Sequence, residues 1–96
     1  MPSYRITMTI GALVAGSSPS EVLPTAGAAA ADVATLEASD LAIVAGSPRI
    51  TIRFTADDED IAAQVATHVV DSTSRVARVQ APLLTRLSAG RWNRVD

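Results

Sequence analysis

Asp57, Asp58, Glu59 and Asp60 stand in a row inside RFTADDEDIA, residues 53–62, directly behind a strand-like run. Four carboxylates could hold a divalent cation or divide acid and base roles between them. Their spacing argues otherwise. Successive residues of a helix point about 100° apart, so a contiguous run fans outward and does not converge on one ion. A calcium loop alternates its acidic ligands and places a glycine at a set offset, and this segment does neither. Carboxylates in a first turn face the positive end of the helix and are each worth about 0.3–1 kcal/mol there. The run therefore predicts a helix start, with Asp57 or Thr55 as cap and Ile61, Val65 and Val69 as the inward stripe.

His68 is the only histidine, which excludes two-histidine metal sites. Its position beside Ile61 and Val65 predicts a residue at the border of the apolar stripe; the competing role is a general base. A Ser–His–Asp arrangement with Asp71 or Asp32 lacks the G-x-S-x-G elbow. GALVAGSS, residues 11–18, has the two glycines of a phosphate-binding loop, but Ser17 stands where its lysine belongs. All eight basic residues are arginine, so lysine chemistry such as Schiff-base formation is absent. Without cysteine there are no disulfides and no thiolate metal sites. No cofactor and no metal are expected. A net charge of −2 argues against a protein organised around a polyanion.

The C-terminal region is richer in candidates. Arg75, Arg78, Arg86, Arg91 and Arg94 face only Asp96 there. LLTRLSAGRWNRV reads as a hairpin with a three-residue loop, Ser88–Ala89–Gly90, which sets Arg86 opposite Trp92 and Leu84 opposite Arg94. In that register Arg86, Trp92 and Arg94 form one patch for a protein partner or a small anion, with Arg86 over the indole.

The elements that must position these residues follow from periodicity. Tyr4, Ile6, Met8 and Ile10 alternate with Arg5, Thr7 and Thr9, a strand pattern over residues 4–13. A secretory signal over the same stretch would have no reason to alternate. Residues 17–38 read as a helix, with Ser18 and Glu21 as a capping box and Val22, Ala26, Ala29, Val33 and Leu36 on one face. Pro24 predicts a kink, or a helix that becomes regular only there. Strands follow over residues 40–45 and 49–55, then the second helix, then a strand over residues 76–87 in which Pro82 calls for an edge or a bulge.

The order strand–helix–strand–strand–helix–strand resembles the ferredoxin-like βαββαβ superfold. That resemblance implies a single α+β domain over residues 1–96, with an antiparallel sheet, both helices on one face and an extra C-terminal hairpin strand. The open face would then show Arg5, Thr7, Thr9, Thr51 and Arg53. RNA-binding proteins of such architecture stack bases on aromatics of the central strands, and threonine and arginine stand there instead, so nucleic acid is not expected. Leu41 and Ile43 point one way and Ala42 and Val44 the other, making this strand apolar on both faces. Two helices cover only one face, so the remaining face, or the edge strand itself, is best buried by another subunit. The sequence thus predicts a homo-oligomer, a dimer first, assembled through Thr7, Thr9, Ala42, Val44, Thr51 and Arg53. A small, non-enzymatic binding or assembly module of the cytoplasm is the expectation. Its rival is a small dimeric enzyme or anion-binding protein, with His68 as base and Arg5 or Arg53 as anion anchor. No stretch approaches the roughly 20 apolar residues of a membrane span.

Overall fold

Alternation of apolar and polar residues makes β1 (Ser3–Leu13), whose Tyr4, Ile6, Met8 and Ile10 are all buried. The structure, a computed structural model, describes residues 1–95. After β1 come a 3-10 turn (Pro19–Glu21), α1 (Val22–Val33), β2 (Thr35–Val44), β3 (Ser47–Thr55), α2 (Glu59–Thr73), β4 (Ala77–Ser88) and β5 (Arg91–Arg94). The fold is α+β: the strands form one antiparallel sheet in the order β2-β3-β1-β4-β5. Both helices pack on the face that carries Tyr4, Ile6, Met8, Ile50, Ile52 and Phe54, and Tyr4 stacks on Phe54 at 5.9 Å between ring centroids.

The first helix differs from its sequence expectation at both ends. Ser18 and Glu21 do form a capping box, with the Ser18 N–H donating to the Glu21 carboxylate at 2.9 Å, but it opens a 3-10 turn. That tighter turn lets Pro24 sit in the first turn of α1, where a backbone N–H has no intrahelical partner to lose. The helix stops at Val33, because Ala34 is fully extended (φ −153°, ψ 177°). Val33 is consequently exposed, and Leu36 packs on the core from β2 instead. The face that is buried consists of Val22, Ala26, Gly27, Ala29 and Ala30, small residues that let the helix approach β2 closely.

The acidic run begins α2 as its composition requires. Asp58, one residue beyond the expected Asp57, is the cap: its carboxylate accepts the Ile61 N–H at 2.9 Å. The inward stripe is Ala62, Val65, Ala66, Val69 and Thr73, so Ile61 lies outside it and is 40% exposed. Thr73, the one buried polar residue among those described, donates to the Val69 carbonyl at 2.7 Å.

Both hairpins turn on an Ala–Gly pair. Ala45 and Gly46 have φ of 51° and 80°, and Ala89 and Gly90 have 50° and 75°. Two positive φ values in succession define type I′ turns, so each loop holds two residues. The three-residue loop expected at 88–90 is therefore corrected: Ser88 pairs with Arg91, Leu87 with Trp92, Arg86 with Asn93 and Thr85 with Arg94. In β4, Ala81 (φ 49°) and Pro82 lie where the register jumps between Thr7↔Leu83 and Thr9↔Gln80. The extra residue makes a bulge there, which is where a proline without an N–H is tolerated.

Candidate functional site

The face of the sheet away from the helices gathers the polar chemistry. Cross-strand register lines up Ala38, Arg53, Arg5, Thr85 and Arg94 in one row across all five strands. Neighbouring rows carry Asp40, Thr51, Thr7 and Leu83, then Ala42, Arg49, Thr9 and Gln80. Trp92, two residues from Arg94 on β5, lies on this same face. Arg5 and Arg53 are directly opposite each other, an arrangement of like charges that destabilises a sheet unless something intervenes.

Two groups intervene. The indole of Trp92 lies against both guanidinium groups, with Arg5 Cζ 4.0 Å and Arg53 Cζ 5.2 Å from the ring centroid. Glu37 supplies the counter-charge. It is the extra residue of a bulge in β2, between Leu36↔Phe54 and Ala38↔Arg53, and the bulge turns its side chain across β3. Its Oε1 accepts from Ser3 Oγ at 2.7 Å and from Arg53 Nε at 3.2 Å. The Ser3 hydrogen bond is the largest influence on the Glu37 carboxyl; burial opposes it, and the hydrogen bond and charge of Arg53 join it in holding the carboxyl below its ordinary value. The result is a chain of contacts, Glu37–Arg53–Trp92–Arg5, running across four strands. Arg49, Arg78 and Arg94 have no carboxylate within salt-bridge distance among the described residues.

The patch Arg86–Trp92–Arg94 does not come together. The corrected register sends Arg86 to the helix side, where its Nη1 meets Glu59 at 3.4 Å and its guanidinium lies 6.0 Å from the Tyr4 ring. Trp92 and Arg94 remain on the open face, with Arg5 in the role expected of Arg86. Among the described residues, the buried Tyr4 hydroxyl and Arg86 Nε both lack a hydrogen-bond partner. Burial pushes the Tyr4 phenol above its ordinary value, although the Arg86 charge acts the other way.

The expected assembly residues Thr7, Thr9, Thr51, Arg53, Ala42 and Val44 do share the open face, with Ala42 and Val44 at the sheet's edge. His68 stands in the helix layer, on the opposite side of the sheet from Arg5 and Arg53, so the structure does not bring that acid–base and anion-binding set into one pocket. It is half-exposed and lies 3.7 Å from Asp32, beside an open groove between the helices lined by Val33, Ile61, Gln64 and Val65. Among the described residues, no group of three or more His, Cys, Asp or Glu could hold a metal ion, and no helix is long and apolar enough to cross a membrane.

The edge strand β2 is exposed along most of its length. Leu41 and Ile43 point to the helix side, opposite Ile50 and Pro48, but α1 does not reach over them and they remain 50% and 65% exposed. With Leu13, Pro19, Val22 and Ile10, Leu41 lines an apolar groove of about 210 Å³ where the sheet outruns its helices. The sequence signal for this was already present as apolar residues on both faces of the strand, which pointed to another subunit over the open face or over the edge strand itself. Set against protein-family models, curated proteins and solved structures, the chain has no match.

Proposed function

We propose that this chain is a small, non-enzymatic assembly module of ferredoxin-like βαββαβ topology, extended by β5, that associates with a second copy of itself through its sheet. One observation carries the reading: the two sheet edges are protected very differently. β5 is four residues long and bears Arg91 and Arg94, the short and charged kind of edge that resists pairing. β2 is ten residues long, contains no proline and no basic residue, and exposes Leu41, Ile43 and Val44. Beyond the bulge at Glu37 and the charge of Asp40, the stretch of residues 41–44 is apolar and unguarded, and such an edge is a template for another strand. Antiparallel pairing of β2 with the β2 of a second copy obeys two-fold symmetry and closes at the dimer. It satisfies the free backbone groups of the edge and brings Leu41 and Ile43 of both copies together on the helix side.

The test is size measurement by light scattering in about 1 M salt, where charge contacts are screened beyond about 3 Å. The expected species is a dimer, and Leu41→Lys with Ile43→Lys is expected to give a folded monomer, since both side chains are exposed. A wild-type monomer, or a variant that remains dimeric, refutes the seam.

A further inference from the structure

Charge is divided between the two faces of this molecule. Neither α1 nor α2 contains an arginine, and the helix layer with its caps carries Glu21, Asp32, Asp57, Asp58, Glu59, Asp60 and Asp71. Seven of the eight arginines lie on strands, and among the described residues Arg5, Arg49, Arg53, Arg78 and Arg94 stand on the open face against only Glu37 and Asp40. The net charge of −2 conceals this, because it sums two faces of opposite sign.

Each face also has an apolar centre. On the sheet it is Trp92, flanked by Arg5 and Arg53 and two residues from Arg94. On the helix layer it is the groove between α1 and α2, where Val33 is 53% and Ile61 40% exposed although both are aliphatic. Asp32 immediately precedes Val33 and lies 3.7 Å from His68, which lines the groove, and Asp60 adjoins Ile61 and shares a helix face with Gln64 one turn on. A half-buried indole among arginines and an apolar groove with Asp32 and Asp60 beside it have the anatomy of two halves of one interface, an apolar centre with a charged rim.

The geometry points to a second copy of this chain as the occupant of the open sheet face, docked by its helix layer, with Trp92 in the Val33–Ile61 groove and the sheet arginines against Asp32, Asp60 and their acidic neighbours. This contact goes beyond the β2 seam and is of a different kind. It joins two unlike surfaces, so it does not close on itself, and it repeats from copy to copy. It is also the contact that salt weakens.

Trp92 is the only tryptophan and reports on its own burial. Sedimentation velocity and tryptophan emission are followed from about 1 M salt down to about 0.01 M, where the screening length grows from about 3 to about 30 Å. The expected result is a sedimentation coefficient that rises with protein concentration at low salt, with a blue shift of the emission over the same range. Arg49→Glu with Arg94→Glu, and separately Asp32→Arg with Asp60→Arg, alter exposed residues and are each expected to weaken this growth about ten-fold or more. Mixing the two variants is expected to restore growth as chains in which the two alternate, since the charges exchanged on the sheet of one then face those exchanged beside the groove of the other, and the surfaces left unaltered remain complementary. Absence of salt-dependent growth, or failure of the mixture to associate, overturns the proposal. So does quenching of Trp92 by single-stranded DNA or polyglutamate under conditions where the chain itself does not associate, which assigns the face to an outside polyanion. The β2 seam is judged separately at high salt, so either contact can fail without the other.

Discussion

Ala45 occupies the first position of a type I′ turn with φ of 51°, a conformation in which its Cβ crowds the backbone. A left-handed conformation costs an ordinary L-residue about 1–2 kcal/mol, and asparagine tolerates it best among residues with a side chain. Ala45 is exposed, so a larger polar side chain meets no packing obstacle. Ala45→Asn is therefore expected to stabilise the fold by about 1 kcal/mol. Ala45→Gly relieves the same crowding but loosens the unfolded chain by about 0.5–1 kcal/mol, so its net effect is close to zero. Ala89 repeats the geometry, with φ of 50°, at the opposite end of the sheet, where additivity holds. For a chain of this size about 1 kcal/mol moves the melting temperature by about 4–8 °C. Circular dichroism melts of Ala45→Asn, Ala89→Asn and the double variant are expected to rise in two comparable steps, with Ala45→Gly near wild type and Ala45→Val clearly lower. An Ala45→Asn melt at or below wild type, or Gly above Asn, refutes the reasoning.

Asp58→Ala is expected to cost about 0.5–2 kcal/mol through loss of the α2 cap, seen as a lower urea midpoint with an unchanged slope. Tyr4→Phe removes a buried hydroxyl that has no partner and is expected to leave the urea midpoint unchanged or raise it by up to about 1–3 kcal/mol of stability. Because the folded chain holds the Tyr4 proton more tightly than the unfolded chain, the stability linked to that proton is fully present below pH 10.0 and is lost as the pH rises beyond it, whatever the hydroxyl costs at neutral pH; Tyr4→Phe is expected to flatten that alkaline decline in a melting series. Glu37 works in the opposite direction. Its folded carboxyl binds a proton less readily than the ordinary value of 4.5, so its contribution is present above that pH and is lost as the pH falls through and below it, and Glu37→Gln is expected to flatten the acid limb.

What the sequence revealed and what it concealed divide along physical lines. The alternation in β1 and β3 and the acidic start of α2 are dictated by local rules, and the structure follows them closely. The end of α1 does not obey a local rule. Its alanine-rich run continues the helical period through Leu36, and only the packing of Leu36 against the core from β2 decides that the chain straightens at Ala34. The C-terminal register failed because Ala–Gly is a weak type I′ signal beside Asn–Gly, and a loop one residue shorter transfers Arg86 to the other face of the sheet. The candidate site depended on that register. Nothing in the alternation of β4 gives warning, since the bulge at Ala81–Pro82 makes odd-numbered residues face the core before it and even-numbered ones after it. Glu37 was legible only as a polar residue, because the bulge that aims it at Ser3 and Arg53 exists only once β2 and β3 have paired.

The separation of arginines onto strands and carboxylates onto helices gives the molecule a large permanent dipole across its thin dimension. Such a body is oriented by a charged surface even where its total charge is of the wrong sign. At neutral pH, well above its isoelectric point near 5.2, the chain is expected to bind a cation-exchange matrix with its sheet turned towards the resin, and an anion exchanger with its helices turned towards it. Its retention on both depends on how the charge is arranged, a property that neither composition nor net charge can express.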